Sequence, residues 1–350
     1  MKGLFVLLMV ALGGCGSSYT LGANAEQVEV DHFQHVWTYR LYHDPPRKDF
    51  KGARAVAFYL TGSLGGPEAE EGVTHSMGAL AGFVMMNIPV VMIDRRGVEP
   101  DCHEDTCKAF NRALARRYSD KPTRVFDARN AISHYLPLIP EGTPIILIGA
   151  SEGADVATKV ATLEPRVTHL VLLSVGGGMT QADELGILVS RDRTTPIAPG
   201  CAPSKGFGDL DKPGLEAAFA RIKADPDSDE LWLGQPLKRW SSFLWSPAGD
   251  DLRRISIQTF IAQGTCDDAV PVESTRAMVT HLGGNNGTKI RYREYPGLDH
   301  SFRDAAGKNA LPLVELDLVD WLANDRILKV GEAKDFKASV RDAHPELFEQ

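Results

Sequence analysis

Short apolar runs recur along this chain, and between them lie stretches whose apolar residues return every three or four positions. Residues 53–60, 89–93, 144–148, 167–175 and 257–264 read as buried strands, and 289–295 alternates as a half-buried strand does. Helical spacing marks 71–86, 124–136, 154–161 and 311–322. Strand following helix in this way predicts a mostly parallel sheet with helices on both faces. Ahead of it, 28–33 and 36–42 could form a first antiparallel pair, and Pro45-Pro46 marks a turn. The alternation breaks over 178–252, which opens rich in Gly, Thr, Pro and Ser and then gives two helix-like runs, 215–224 and 230–244.

The chemistry concentrates where one buried run meets a helix. Gly149-Ala150-Ser151-Glu152-Gly153 joins the strand at 144–148 to the helix at 154–161. A serine between two glycines at such a junction is the context of a nucleophile elbow. The turn is too tight for side chains at the glycines, the serine is held in a strained backbone conformation, and the helix N-terminus favours negative charge beside its hydroxyl. A nucleophilic serine needs a base, and the base needs an orienting acid. Downstream, the strand at 257–264 opens into Thr265-Cys266-Asp267-Asp268-Ala269-Val270-Pro271, and the strand at 289–295 ends in Pro296-Gly297-Leu298-Asp299-His300. An acid and a histidine thus follow successive strands, at the edge where open α/β sheets gather their active sites.

These motifs resemble the α/β-hydrolase-fold serine hydrolases, over roughly 53–324. The resemblance implies an α/β fold with a mostly parallel central sheet, helices on both faces and a helical cap insertion. It implies a triad of Ser151, Asp267 and His300, because the family's acid commonly sits in a Gly-x-x-Asp turn before Val-Pro, here Gly264 to Asp267 and then Val270-Pro271. Asp268 is read as a solvated or capping neighbour. Some members place the acid one strand earlier, but there 167–175 runs into Gly176-Gly177-Gly178 without a carboxylate. Of ten histidines, His300 follows the last strand and precedes the helix at 311–322, whereas His103 and His134 fall in the wrong order and His281 ends a helix-like segment.

Two backbone amides are expected to hold the oxyanion, that of Glu152 and that of Ser63, with Leu64 as the alternative to Ser63. Many relatives carry His-Gly where this chain has Thr61-Gly62, a tolerable departure because the backbone donates. Asp94-Arg95-Arg96-Gly97 resembles the family's Asp-x-Arg-Gly loop, which implies packing beneath the site. The family usually builds its cap in an insertion at the place of 178–252, where Trp232, Trp240, Phe243 and Trp245 concentrate. They could line a pocket or pack the cap onto the core.

The activity so implied is hydrolysis of a carboxylic ester through an acyl-enzyme, with exopeptidase- or oligopeptidase-like amide cleavage or thioester cleavage as alternatives. No metal or organic cofactor is required, and the partner is a small ester or short peptide. A carboxylate at Glu152 could pair with a substrate amine or simply sit near the helix N-terminus. The same fold used by a non-enzymatic binding lipoprotein is the reading of a different class.

The first fourteen residues change the expected compartment. Lys2, the apolar run 4–12 and Gly13-Gly14 read as an export signal, too short to span a bilayer. Leu12-Gly13-Gly14-Cys15 resembles the bacterial lipoprotein processing box, which implies lipidation of Cys15 and a membrane anchor. Gly16, in place of an acidic residue, points away from retention at the inner membrane, so the outer membrane facing the periplasm is the expected site. Residues 15–26 then serve as a tether, 27–177 and 253–325 as core, and 326–350 as a C-terminal tail. The formal charge of −8 argues against nucleic acid as a partner. Cys102, Cys107, Cys201 and Cys266 form an even set that suggests disulfides in an exported protein. Cys102 with Cys107 is the natural local pair and leaves Cys201 with Cys266, although sequence does not fix the connectivity. A zinc site at Cys102-His103…Cys107 has too few ligands and no common zinc spacing.

Overall fold

The structure, a computed structural model, describes residues 8–9, 20–21, 23–31, 34–41, 49–63, 81–93, 95–96, 104–204, 209–284 and 289–348. Cys15, most of the expected signal and tether, Leu64, Asp94, Gly97, Cys102, His103 and most of the helix expected at 71–86 lie outside them.

One sheet organises the chain. Its strands are β1 (Ala23–Asp31), β2 (Gln34–Leu41), β3 (Val56–Leu60), β4 (Val90–Ile93), β5 (Ile145–Ala150), β6 (His169–Leu173), β7 (Gln258–Gly264) and β8 (Ile290–Tyr295). Across the sheet they run β8-β7-β6-β5-β3-β4-β2-β1. The β1–β2 and β2–β4 pairs are antiparallel, and the six strands from β4 to β8 are all parallel. Continuous apolar sequence explains the middle. In β3, β4 and β5 every side chain up to Gly149 is buried, as a strand covered by helices on both faces requires. β8 lies at the edge beside β7 alone, and its half-polar pattern fits that exposure.

The helices include α1 (Ala81–Met85), α2 (Asp105–Arg117), α3 (Lys121–Tyr135), α4 (Glu152–Leu163), α5 (Gln181–Ser190), α6 (Lys212–Ala224), α7 (Leu237–Phe243), α8 (Ala248–Leu252), α9 (Val272–His281), α10 (Leu311–Asn324) and α11 (Val330–Ala343). Two apolar clusters fill the spaces above and below the sheet, one with α10 and α11, the other with α3, α4 and α9. Among the described residues no helix is long and apolar enough to cross a membrane.

Several elements differ from the sequence expectation. Residues 230–244 are not one helix: Leu231–Trp232 and Gln235–Pro236 pair as a short hairpin, and Leu233 and Gly234 turn it with positive φ. Only α7 is helical there. α5 lies in the stretch read as irregular, started by Thr180 and Asp183 in a reciprocal cap. α2 was also not visible in the periodicity. Its face carries Lys and Arg beside Phe110, and only Asn111 and Ala115 are buried. Residues expected as a tail form α11 instead, which buries Ala333, Phe336 and Val340 against the core.

The insertion has a small core of its own. Leu185, Leu215, Ile222, Trp232, Leu237, Trp240 and Leu244 gather into a third apolar cluster. A disulfide between Cys201 and Cys266 ties this region to the turn after β7. The expected Cys102–Cys107 pair lies outside the described residues at Cys102.

Candidate active site

The loops at the carboxyl ends of β3, β5, β6, β7 and β8 converge on one cavity of about 250 Å³. Its walls include Ser63, Ser151, Glu152, Arg239, Trp240 and His300. Ser151 stands at the β5–α4 turn with φ 53° and ψ −124°, a left-handed conformation that is costly for a residue with a Cβ. Its neighbours make that turn possible. A Cβ on Gly149 would lie 2.3 Å from the Gly153 carbonyl, and one on Gly153 would lie 2.3 Å from the carbonyls of Leu60 and Thr61. Only glycine lets the helix start come so close to both strands. The turn is pinned on the other side by the Ser151 amide, which donates to the Leu173 carbonyl at 2.8 Å.

Asp267 and His300 meet across the ends of β7 and β8. His300 Nδ1 lies 2.8 Å from Asp267 Oδ2. Asp267 is fully buried, and its oxygens also accept from the Gln263 amide at 2.8 Å and from the backbone amides of Ala269 and Val270 at 2.9 and 2.7 Å. These donors fix the orientation of the carboxylate. The two loops are themselves stitched together, the Cys266 amide donating to the Leu298 carbonyl and the Gly297 amide to Thr265 Oγ1, and Ser174 Oγ, just after β6, donates to the His300 carbonyl. Burial disfavours a charged His300, but the adjacent Asp267, with smaller help from Asp268 and Asp299, raises its pKa above the ordinary histidine value. With Nδ1 turned to Asp267, Nε2 is the nitrogen left to exchange a proton in the cavity.

Sequence reasoning missed the charge cluster beneath Ser151. The Glu152 side chain is buried and meets three arginines. Arg124 Nη1 donates to Oε1 at 2.5 Å, Arg239 donates to Oε2 through Nε at 2.7 Å and through Nη2, and Arg95 reaches Oε1 at 3.3 Å. Burial opposes the ionised form, but the three guanidiniums hold Glu152 down at a pKa of about 2. In turn burial, with the other cations, lowers Arg95 to about 9. Arg124 donates to the Thr61 carbonyl at 2.6 Å and Arg95 to that of Gly62, so the same cluster fixes the loop that carries Ser63. The Glu152 carboxylate is therefore committed to the protein and is not free to pair with a substrate amine. Arg95 had a signal in the loop motif. Arg124 and Arg239 had none, lying on helices far away in sequence.

The aromatic residues divide their work. Trp240 faces the cavity and packs against Trp232, and Arg239 stacks on it at 4.1 Å. Phe243 is buried in the main core, and Trp245 is partly exposed. Among the described residues no group of three His, Cys, Asp or Glu side chains is gathered for a metal.

No protein-family model matches this sequence, and no curated protein matches it either. Solved structures do. Est1E from Butyrivibrio proteoclasticus with ferulic acid bound is similar at a TM-score of 0.54 and 16% identity, over 86% of this chain and 98% of that one. The Pyrococcus furiosus esterase Pf2001 is similar at 0.50 and 14% identity, over 93% of this chain and 99% of that one. A Mycobacterium tuberculosis puromycin-hydrolyzing peptidase is similar at 0.56 and 13% identity, over 89% of this chain, which spans only 40% of that protein. At these identities the likeness is one of architecture, and the architecture is the α/β-hydrolase fold.

Proposed function

We propose that the protein is a serine hydrolase that cleaves a carboxylic ester through an acyl-enzyme on Ser151. One observation carries the reading: a serine held at φ 53° in a strand-to-helix turn shares a cavity with a histidine whose other nitrogen is fixed by a buried aspartate. In the mechanism, His300 Nε2 takes the Ser151 proton as Oγ attacks the ester carbonyl. The backbone amides of Ser63 and Glu152 receive the oxyanion. His300 then protonates the leaving alcohol, while Asp267 holds the ring and offsets its charge. Water enters on the same path, gives its proton to Nε2, and releases the acid.

The engaged state of Glu152 removes the reason to favour an amine-reading aminopeptidase through that residue. Amide and thioester substrates remain as panel members, and the esterase neighbours favour the ester. We also propose that Cys15 carries a lipid that anchors the enzyme in the cell envelope, which metabolic labelling with an alkyne palmitate, compared between wild type and Cys15→Ala, tests directly.

The test of the activity is labelling by a fluorophosphonate probe. Wild type should label, Ser151→Ala should not, and His300→Ala should label far more slowly. A folded wild type that does not label overturns the reading in favour of a binding protein built on the same fold.

A further inference from the structure

Three carboxylates line the cavity, and two of them have their own cations: Glu152 has three arginines and Asp155 has Lys121 at 2.8 Å. Glu184 is the exception. It projects from α5 into the cavity wall, and only 6% of the residue is exposed. Oε1 accepts from Ser274 Oγ at 2.5 Å and from the Gly177 amide at 3.2 Å. Among the described residues Oε2 has no hydrogen-bond partner, and the residue lines the cavity. Arg239, the arginine that lines the same cavity, is committed to Glu152.

We propose that Glu184 is a specificity residue that receives an alkylammonium group of the substrate at Oε2, within the same cavity as Ser151. The inference rests on the hydrolase reading for its catalytic half only. A buried carboxylate without a countercharge is costly, and a cation supplied by the substrate removes that cost on binding. One free oxygen suits a single N–H from an ammonium, such as a tertiary one supplies, better than the two-pronged fork of a guanidinium. The setting also favours a cation. Burial, reinforced by Asp155 and Asp267 and opposed by the Ser274 and Gly177 hydrogen bonds, brings the Glu184 pKa to about 7. The site is then neutral on the acid side and attracts a cation as pH rises.

Isosteric ester pairs test this. In one, 3-(dimethylamino)propyl butanoate is compared with 4-methylpentyl butanoate; in the other, ethyl 6-(dimethylamino)hexanoate with ethyl 7-methyloctanoate. The pairs put the charge on the alcohol and acyl sides in turn. Wild type should favour the ammonium member of one pair by about tenfold or more in kcat/KM, from a charge-assisted hydrogen bond. That ratio should climb between pH 6 and 8, because the titration of His300 acts on both members alike and cancels. In Glu184→Gln, whose amide oxygen can still accept from Ser274 and Gly177, the ratio should fall to near unity and lose its pH dependence. A wild type without preference in either pair overturns the proposal, as does a preference that survives in Glu184→Gln. Calorimetric binding of the same esters to Ser151→Ala and Ser151→Ala/Glu184→Gln reads the subsite without chemistry. A preference there, with no fluorophosphonate labelling of wild type, would sink the hydrolase reading and leave the subsite standing.

Discussion

Replacing Glu152 by Gln should destabilise the protein far more than its isosteric shape suggests. The carboxylate pairs with Arg95, Arg124 and Arg239 at once, and Nη1 of both Arg95 and Arg239 is already buried without a partner. Removing the charge leaves three buried guanidiniums facing one another. Breaking a buried ion pair from one side costs about 3–5 kcal/mol. The titration of Glu152 gives an independent figure. Its pKa falls from 4.5 to about 2, which corresponds to roughly 3 kcal/mol of stability. That share is complete above pH 4.5 and is lost as pH falls towards 2. An unfolding entropy of about 2.1 cal/mol/K per residue, summed over this chain, converts 3–5 kcal/mol into a drop of roughly 4–7 °C in Tm. Thermal melts by circular dichroism at pH 7.5 and across pH 3–6 measure both quantities. Glu152→Gln should melt lower at neutral pH and lose less on acidification than wild type does. If the variant melts within about 1 °C of wild type at neutral pH, the electrostatic account of this cluster is wrong.

Asp267→Asn should lower kcat by on the order of 10³- to 10⁴-fold with little change in KM, because the ring would lose both its tautomer and its countercharge; steady-state kinetics on a reactive ester decides it. In wild type, kcat/KM should rise with pH through a midpoint above 6.5, since Nε2 must be neutral and His300 is shifted upward. A midpoint at or below 6.5 contradicts the Asp267–His300 geometry. Reduction of Cys201–Cys266, which are 65 residues apart in sequence, should cost up to about 4 kcal/mol in urea unfolding by loop entropy. An unchanged midpoint after verified reduction refutes that figure. Gly153→Ala should fail to fold or lose fluorophosphonate labelling, because its Cβ would meet two carbonyls at 2.3 Å; a normal melt with full labelling overturns the packing argument.

What could be read from the sequence was whatever the backbone enforces locally. The buried runs at 144–148 and 257–264 have one period and few alternatives, so the central strands fall where expected. Gly149 and Gly153 announce a tight turn because no other residue fits there. The pairing of Asp267 with His300 came from chain order, the ends of successive strands and the resemblance of Gly264 to Asp267 and Val270-Pro271 to the family's acid turn. Long-range charge was not legible. Arg124 sits on a helix whose apolar face is easy to see, and nothing there says its head group reaches Glu152 and the Thr61 carbonyl. Glu184 carries no signal in the sequence, because α5 is too mixed in polarity to show which side is covered. α11 escaped for a related reason: Ala333, Phe336 and Val340 hold helical spacing, but Lys and Asp surround them. Residues 231–236 read as helical until Leu233 and Gly234 turn the chain back at positive φ.

Arg239 and Cys201 belong to the insertion, yet one grips the carboxylate of Glu152 beside Ser151 and the other is bonded to Cys266, next to Asp267. The insertion is thus not an exchangeable module. Grafting a foreign cap at 178–252 to redirect substrate choice would strip a counterion from Glu152 and a brace from the Asp267 turn in the same step. A chimera that keeps Arg239 and Cys201 as fixed anchors, and varies only the residues between them, is the design this architecture can tolerate. By the same logic, specificity and structural integrity should change together here, with few substitutions in the insertion able to alter one alone.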